Sequence, residues 1–556
     1  MAGTNSNGLI DPNSGFCSQT KTFHSVRPKI PLPPSSQPLS VTQFTLSILH
    51  KSATTTAAPF LMNAATGRRL TYPEFLRQTN SLTLSLQKHY SLSKNDVAFI
   101  LSPSSFEIPV LYFSLLSLGV VVSPANPLGS TSEISHQLHL SKPSIAFATS
   151  RTSHKLPPNF RTVLVDSPEF LSLLSTQHQN DVVISPPAVV NQSDAAVILY
   201  SSGTTGKVKG VLLTHRNIIS LVASFHHVEY GANPTEQPQP SGEVSLITLP
   251  LFHVFGFLAL VRVVAVSETA VFMERFDFET MLKTVDKYKL TSMPVSPPLV
   301  VALTKSELTK KYDLSSLQYL SCGGAPLGKE VTDKFKEKFP SVEIIQGYGL
   351  TECGGLASSM RDSEETKRHG SVGRLHELME AKVVDPVTGD ALSPAQKGEL
   401  WLRGPTIMKG YIGDNKATIE TVDSEGWLKT GDLCYFDSNG FLFIVDRLKE
   451  LIKYKAYQVP PAELEHLLQS NPEIADAAVI PYPDEEAGQI PMAFVVRKPG
   501  SSINEAQLMD FIAKQVAPYK KIRRVAFVNS IPKSEAGKIL RRELVNHALS
   551  GNLSKL

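Results

Sequence analysis

What most constrains the fold is a repeated exchange between short apolar runs and longer amphipathic segments. Residues 97–101, 120–123, 195–200, 244–249, 317–321 and 342–345 are each four to six residues long and mostly apolar. They are too short for buried helices and suit strands covered on both faces. Helical patterns separate them. Thr71-Tyr72-Pro73-Glu74 has the form of a capping box with proline in the first turn, and Phe75, Thr79, Leu82 and Leu86 follow on one face. Glu107–Leu118 reads as a buried helix, and Asp277 is placed to cap another whose Phe278, Met281, Leu282 and Val285 face inward. Such alternation predicts an α/β fold of parallel sheets with helices on both faces.

The rhythm then changes twice. From about residue 375 short strands and turns take over, as in Asp385-Pro386-Val387-Thr388-Gly389-Asp390, which predicts a small β-rich subdomain. After Asp446-Arg447 a further unit begins, with a helix near 461–468, strands near 477–480 and 492–496, and a helix near 505–516. We expect a large N-terminal body over 1–447 and a mobile α+β C-terminal lid over 448–556. A chain of 556 residues is too long for one core in any case.

Composition excludes several partners. With 54 Lys+Arg against 51 Asp+Glu the net charge is +3, and no basic tail or stripe points to nucleic acid. Four scattered cysteines, Cys17, Cys322, Cys353 and Cys434, make neither a disulfide framework nor a zinc knuckle, and suit a reducing compartment. The apolar stretch 109–124 is broken by Ser114 and Ser117, and 255–266 carries Arg262, so no transmembrane segment is expected. The N-terminus lacks an apolar signal core; it is Ser/Thr-rich with Asp11 its only acid before Glu74, a trait of organelle transit peptides. A proline-rich segment follows at 28–40. The last three residues, Ser554-Lys555-Leu556, match the address read by the peroxisomal import receptor, so the expected location is the peroxisome.

The sharpest motif is Tyr200-Ser201-Ser202-Gly203-Thr204-Thr205-Gly206-Lys207-Val208-Lys209-Gly210. It leaves one apolar run and enters another, 211–213, before a helix expected near Thr214. Its glycines let backbone N–H groups close on phosphate oxygens, its hydroxyls add donors, and Lys207 adds charge. A solvated linker would not sit between two apolar strands. A P-loop needs glycine at 201 and Ser or Thr at 208, where the chain has Ser201 and Val208. This is a phosphate cradle of another kind.

The loop resembles the phosphate-binding signature of the adenylate-forming superfamily, which contains acyl-CoA synthetases, firefly luciferases and peptide-synthetase adenylation domains. Five further segments agree in order: Leu249-Pro250-Leu251-Phe252-His253, Gln346-Gly347-Tyr348-Gly349-Leu350-Thr351-Glu352, Thr430-Gly431-Asp432-Leu433, the run from Asp446-Arg447 to Lys455, and Pro532-Lys533-Ser534-Glu535-Ala536-Gly537-Lys538. Six ordered matches over roughly residues 25 to 550 leave little room for accident. Gly323-Gly324-Ala325-Pro326-Leu327 and Ala517-Pro518-Tyr519-Lys520-Lys521 resemble the plant 4-coumarate:CoA ligase-like branch. Residues 23–33 resemble the folded N-terminal lead-in of those ligases, which argues against a transit peptide.

The resemblance implies a carboxylate–CoA ligase using ATP, Mg²⁺ and coenzyme A. A carboxylate attacks the α-phosphorus of ATP to give an acyl-adenylate, and the CoA thiol then displaces AMP. The first step joins an anion to a polyphosphate, so cations and oriented donors must surround it. By that resemblance residues 201–207, Gln346 and Gly347 belong to the nucleotide site. Tyr348 would lie against adenine, Asp432 and Arg447 would hold the ribose, Thr351 the α-phosphate, and Glu352 the Mg²⁺. Lys538 would bridge carboxylate and phosphate. The lid would then turn about Lys449, presenting Lys453 and Gln458 for the second step. Read without the family, Lys449, Lys453 and Lys455 could be the solvated face of an amphipathic helix, and Thr430–Leu433 a turn.

Lys455, Ala456 and Arg275 match CoA contacts. Ala456 stands where many relatives have a glycine able to adopt φ > 0 beside the pantetheine arm. His253 matches a gate beside the acid pocket, with Phe255 and Ala259 on its wall and Gly347 at its floor. Phe255 replaces a tyrosine of hydroxycinnamate ligases and removes a hydroxyl able to bond a phenol, so an apolar acid is expected: a fatty acid, an oxylipin precursor or a cinnamate-like acid. A luciferase-like oxidase needs oxidative chemistry for which no signal is present. A non-catalytic or adenylate-only member of the fold would have no need of Lys453 and Lys538 together.

Overall fold

A computed structural model describes residues 10–49, 59–175, 189–201, 208–231, 242–325, 327–455, 457–534 and 537–550. Two large sheets form the body. In one, Val97–Leu101, Val121–Pro124, Ile145–Ala148 and Thr162–Leu164 run parallel, and Ala195–Ser201 joins them in the same direction. In the other, Pro59–Asn63, Thr269–Phe272, Val244–Ile247, Ser292–Val295, Tyr319–Cys322 and Glu343–Tyr348 form a parallel core with short antiparallel strands at both edges. The expected α/β architecture is present. The helix Glu107–Leu118 is buried on nearly every side, as its mostly apolar sequence requires, and the buried Ser114 hydroxyl is satisfied by the Thr79 and Val110 carbonyls.

Local chemistry sets the boundaries. Thr71 accepts a hydrogen bond from the Glu74 backbone, and the Thr71 backbone donates one to the Glu74 carboxylate, fixing the start of helix Tyr72–Tyr90. Asp277 caps Phe278–Tyr288 by accepting from the Thr280 backbone. The run after the phosphate motif is the strand Lys209–Thr214, which folds back antiparallel on Ala195–Ser201 with Ser201 opposite Lys209. Ser202, Gly203, Thr204, Thr205, Gly206 and Lys207 lie outside the described residues.

The β-rich part is a six-stranded antiparallel sheet. It contains Glu380–Val384, Gly398–Arg403, Leu428–Phe436 and Leu442–Arg447, and it recruits Phe16–Cys17 and Thr22–His24 from the N-terminus. Phe23 stacks on Phe436 at 4.2 Å, so the lead-in is a structural part of this sheet. Thr430–Leu433 lies within a strand there rather than forming a turn.

Residues from Ile452 onward build a separate five-stranded sheet with a core on each face. Along Ile474–Asp484, Val479 enters one core and Ala478 and Ile480 the other, the two-residue period of a strand. Leu464, Leu468, Leu508 and Ile512 cover the first face, and Leu544 and Ala548 the second. The strands exceed the expected 477–480 and 492–496 because they are two arms of one hairpin, Ile474–Asp484 and Gly488–Arg497, whose ends are polar. The helix expected to reach 516 stops at Ala513, since Pro518 disfavours helical geometry just before it. Residues 452–454 form a strand, not an amphipathic helix. Among the described residues no helix is long and apolar enough to cross a membrane, and all four cysteines are buried and unpaired.

Candidate active site

Loops beyond the carboxyl ends of parallel strands are where an α/β sheet can converge on a ligand. The strand Glu343–Tyr348 delivers Gln346, Gly347 and Tyr348 to such an edge, where they line a cleft of about 950 Å³. Asp432, Arg447 and Lys538 line the same cleft. Asp432 and Arg447 face each other across the antiparallel strands Leu428–Phe436 and Leu442–Arg447. The Tyr348 hydroxyl donates to Asp432 Oδ2 at 2.5 Å. Burial raises the pKa of the Asp432 carboxyl, and Arg447, Tyr348 and Lys538 oppose that rise.

Lys538 stands near Arg447, Glu450 and Asp432, and burial followed by Arg447 lowers its pKa to about 8. A cation held at such a disadvantage gains most when an anion enters the cleft. Tyr348 is pushed well above its ordinary value by burial and by Asp432, so it remains a donor.

Thr351 and Glu352 follow on a single 3₁₀ turn, Thr351–Cys353. Glu352 Oε1 accepts from Ser201 Oγ at 3.1 Å and from the Tyr411 hydroxyl at 2.8 Å. The base of the phosphate loop and the acid expected to hold Mg²⁺ are therefore in direct contact. Lys209 lies over the Tyr411 ring at 4.5 Å. Among the described residues no group of three or more His, Cys, Asp or Glu could hold a metal by itself. One oriented carboxylate instead fits Mg²⁺, which usually keeps water and takes substrate phosphate oxygens.

His253 caps helix Val254–Ala265. Its Nδ1 accepts from the Phe255 backbone at 3.2 Å, which leaves the proton of the neutral ring on Nε2. Burial lowers its pKa and keeps the ring neutral. Phe255 packs where a Cβ on Gly323 would stand, at 3.6 Å, and the Gly347 carbonyl is 3.4 Å from that same point. Phe255, Gly323 and Gly347 thus meet at one place, and Ala259 follows Phe255 one helical turn on.

The residues expected to serve the second step lie elsewhere. Ile452–Tyr454 and Tyr457–Val459 form a tight ribbon in which Lys453 pairs in register with Gln458, both exposed. The left-handed residue of this turn is Lys455, with φ 52°. The sequence motif points to φ > 0 at position 456; Ala456 lies outside the described residues. Lys449 sits on the exposed turn after Arg447. Arg275 is exposed, and neither it nor Lys453 lines the 950 Å³ cleft.

Sequence reasoning misses an ion-pair cluster and one tyrosine. Arg541 bonds Glu450 at 3.0 Å and Glu465 at 2.6 Å, and Glu465 accepts the Val479 backbone at 2.7 Å, which ties the Lys538 loop to the turn after Arg447 and to the C-terminal sheet. Glu450 and Arg541 each stand three residues past a recognised cleft residue within their motifs, but nothing in either motif pairs them with Glu465. Tyr411 carries no sequence signal.

Comparison with known proteins bears on the whole chain. A family model described as AMP-binding enzyme matches residues 49–412, and one described as AMP-binding enzyme C-terminal domain matches 463–538. 4-Coumarate--CoA ligase-like 9 of Arabidopsis thaliana is 60% identical over 565 residues, covering 100% of this chain and 99% of its own length. Peroxisomal OPC-8:0-CoA ligase 1 of the same plant is 46% identical over 555 residues, covering 98% of this chain and 99% of its own. O-Succinylbenzoate coenzyme A synthetase (MenE) of Bacillus subtilis, solved with ATP and magnesium ion, superposes with a TM-score of 0.75 at 26% identity, over 90% of this chain and 98% of its own.

Proposed function

The chain belongs to the AMP-binding enzyme family, the adenylate-forming superfamily, as an acid–thiol ligase similar to the 4-coumarate:CoA ligase-like proteins, and on that footing we propose how its residues divide a two-step reaction. An acid carboxylate oxygen attacks the α-phosphorus of ATP and pyrophosphate leaves. The sulfur of coenzyme A then attacks the acyl carbonyl of the adenylate, and AMP leaves as the thioester forms.

The observation that carries this assignment is the convergence of Tyr348, Asp432, Arg447 and Lys538 on one cleft. Asp432 offers two oxygens to two ribose hydroxyls, Tyr348 a ring face to adenine, and Lys538 the charge that joins carboxylate to phosphate. Thr351 and the loop 201–207 are assigned to the phosphates. Glu352, oriented by Ser201 and Tyr411, is assigned to Mg²⁺, which when bound neutralises charge on the polyphosphate.

We assign residues 448–556 to a lid that turns about Lys449 between the steps. Lys538 faces the cleft while Lys453 and Gln458 face solvent, which is the arrangement a first-step orientation requires. After rotation Lys453 and Gln458 serve thioester formation, and Lys455, Ala456 and Arg275 receive coenzyme A.

The acid is apolar in this reading. A phenyl ring without hydroxyl stands beside Gly323 and Gly347, and the relative named for OPC-8:0 supports it. The peroxisomal name of that relative and the tripeptide Ser554-Lys555-Leu556 support a peroxisomal location through the import receptor. The test is acid-dependent pyrophosphate release followed by mass spectrometry of acyl-CoAs across aromatic, fatty and cyclopentanone acids. 4-Coumarate as the best substrate by kcat/KM would sink the acid assignment. Pyrophosphate without thioester would make the protein an adenylate-only enzyme.

A further inference from the structure

Two lysines of the body reach across to the C-terminal unit. Lys305, the last residue of helix Pro297–Lys305, donates from Nζ to the Ile474 carbonyl at 3.1 Å. Lys334, on helix Lys329–Lys338, donates to the Ser470 carbonyl at 3.2 Å. Both carbonyls belong to one turn, running from the end of helix Pro461–Ser470 to the start of strand Ile474–Asp484. The Ser470 carbonyl, at the helix C-terminus, lacks an internal partner and attracts a cation, while Ile474 opens the strand that follows.

The two donors are held in fixed relation to each other. Lys338 donates to the carbonyls of Leu303, Thr304 and Ser306 at 3.0, 3.1 and 2.7 Å, fastening the end of one body helix to the other. The same seam leaves little clearance. A Cβ on Gly328 would lie 3.1 Å from the His466 ring, and one on Gly537 would lie 2.9 Å from Ser296 Oγ. Gly537 is the neighbour of Lys538, so the fit of this seam sets where Lys538 stands.

We propose that Lys305 and Lys334 are positioning residues for the first half-reaction, latching the 470–474 turn to the body in the orientation that holds Lys538 beside Asp432 and Arg447. The inference rests on the two-orientation reading above. Lys305 lines the same cleft as Lys538, but its Nζ is bonded to the Ile474 carbonyl, and the latch must release before Lys453 can approach the acyl group.

The double variant Lys305→Met with Lys334→Met should lower the rate of adenylate formation about tenfold, the combined effect of losing two partly solvated hydrogen bonds. Thioester formation from supplied acyl-AMP should be unchanged or faster. Lys305→Arg, which keeps a charged donor, should retain adenylation. Equal loss in both half-reactions, or no loss in adenylation, would overturn the latch.

A second measurement does not depend on turnover. Because all four native cysteines are buried, spin labels can be directed to Lys416→Cys in the body and Ser502→Cys beyond the seam. The double methionine variant should broaden the distance distribution between them, and an unchanged distribution contradicts the proposal. If the wild-type protein makes adenylate but no thioester, the two-step reading fails while this distance measurement still decides the latch.

Discussion

Asp432 Oδ1 lies 3.3 Å from Arg447 Nε, across a strand pair in which the two residues are register partners. The sheet therefore aims a carboxylate and a guanidinium into the cleft from adjacent strands, with Tyr348 holding the second carboxylate oxygen.

Asp432→Asn keeps the size of the side chain and removes its charge. The KM for ATP should rise at least about tenfold, as expected for loss of charge-assisted hydrogen bonds. Arg447 would also lose its counter-charge in a largely buried setting, while relief of the Asp432 desolvation offsets part of that loss, so the thermal midpoint should fall only modestly. Initial-rate kinetics and thermal unfolding of the same preparation check both.

The Lys538 amine, lowered from 10.5 to about 8, is charged below that pH and neutral above it. Adenylation needs the charge, so kcat/KM for this step should fall as pH rises through about 8. Lys538→Arg should move that fall to higher pH. Stability carries the opposite sign. The fold disfavours the charged amine, so above about pH 8 and up to 10.5 the unfolded chain holds the extra proton and stability rises with pH.

Tyr411→Phe removes the donor that orients Glu352 at 2.8 Å. The Mg²⁺ concentration giving half-maximal pyrophosphate release should rise about tenfold, the usual effect of losing a partner that orients a ligand. An unchanged Mg²⁺ dependence would remove Glu352 from the metal site.

Phe255→Tyr returns a hydroxyl to the wall beside Gly323 and Gly347. The ratio of kcat/KM for 4-coumarate to that for cinnamate should rise, by about tenfold if the phenol is bonded.

Features governed by near neighbours along the chain are legible in the amino-acid sequence. The Thr71–Glu74 box, the Asp277 cap and the mostly apolar helix Glu107–Leu118 stand at the expected positions because each is decided within a few residues. The cleft residues are legible because Tyr348, Asp432, Arg447 and Lys538 each sit in a recognisable motif. Long-range partners are not. Glu465 and Arg541 are 76 residues apart, and nothing local to either predicts their bond. The pairing of Lys453 with Gln458 arises from the tight turn at Lys455, whose left-handed backbone is not written in a lysine. Lys305 and Lys334 read as ordinary surface lysines until the fold brings the 470–474 turn to them.

The proposed two-step reaction places Lys538 and Lys453 on two different faces of residues 448–556. Its most direct test is to assay both half-reactions separately in Lys538→Ala and Lys453→Ala. Lys538→Ala should lose acid-dependent pyrophosphate release yet convert supplied acyl-AMP and coenzyme A to thioester. Lys453→Ala should form adenylate and fail at the thioester. Equal loss of both half-reactions in each variant would contradict this division between Lys538 and Lys453.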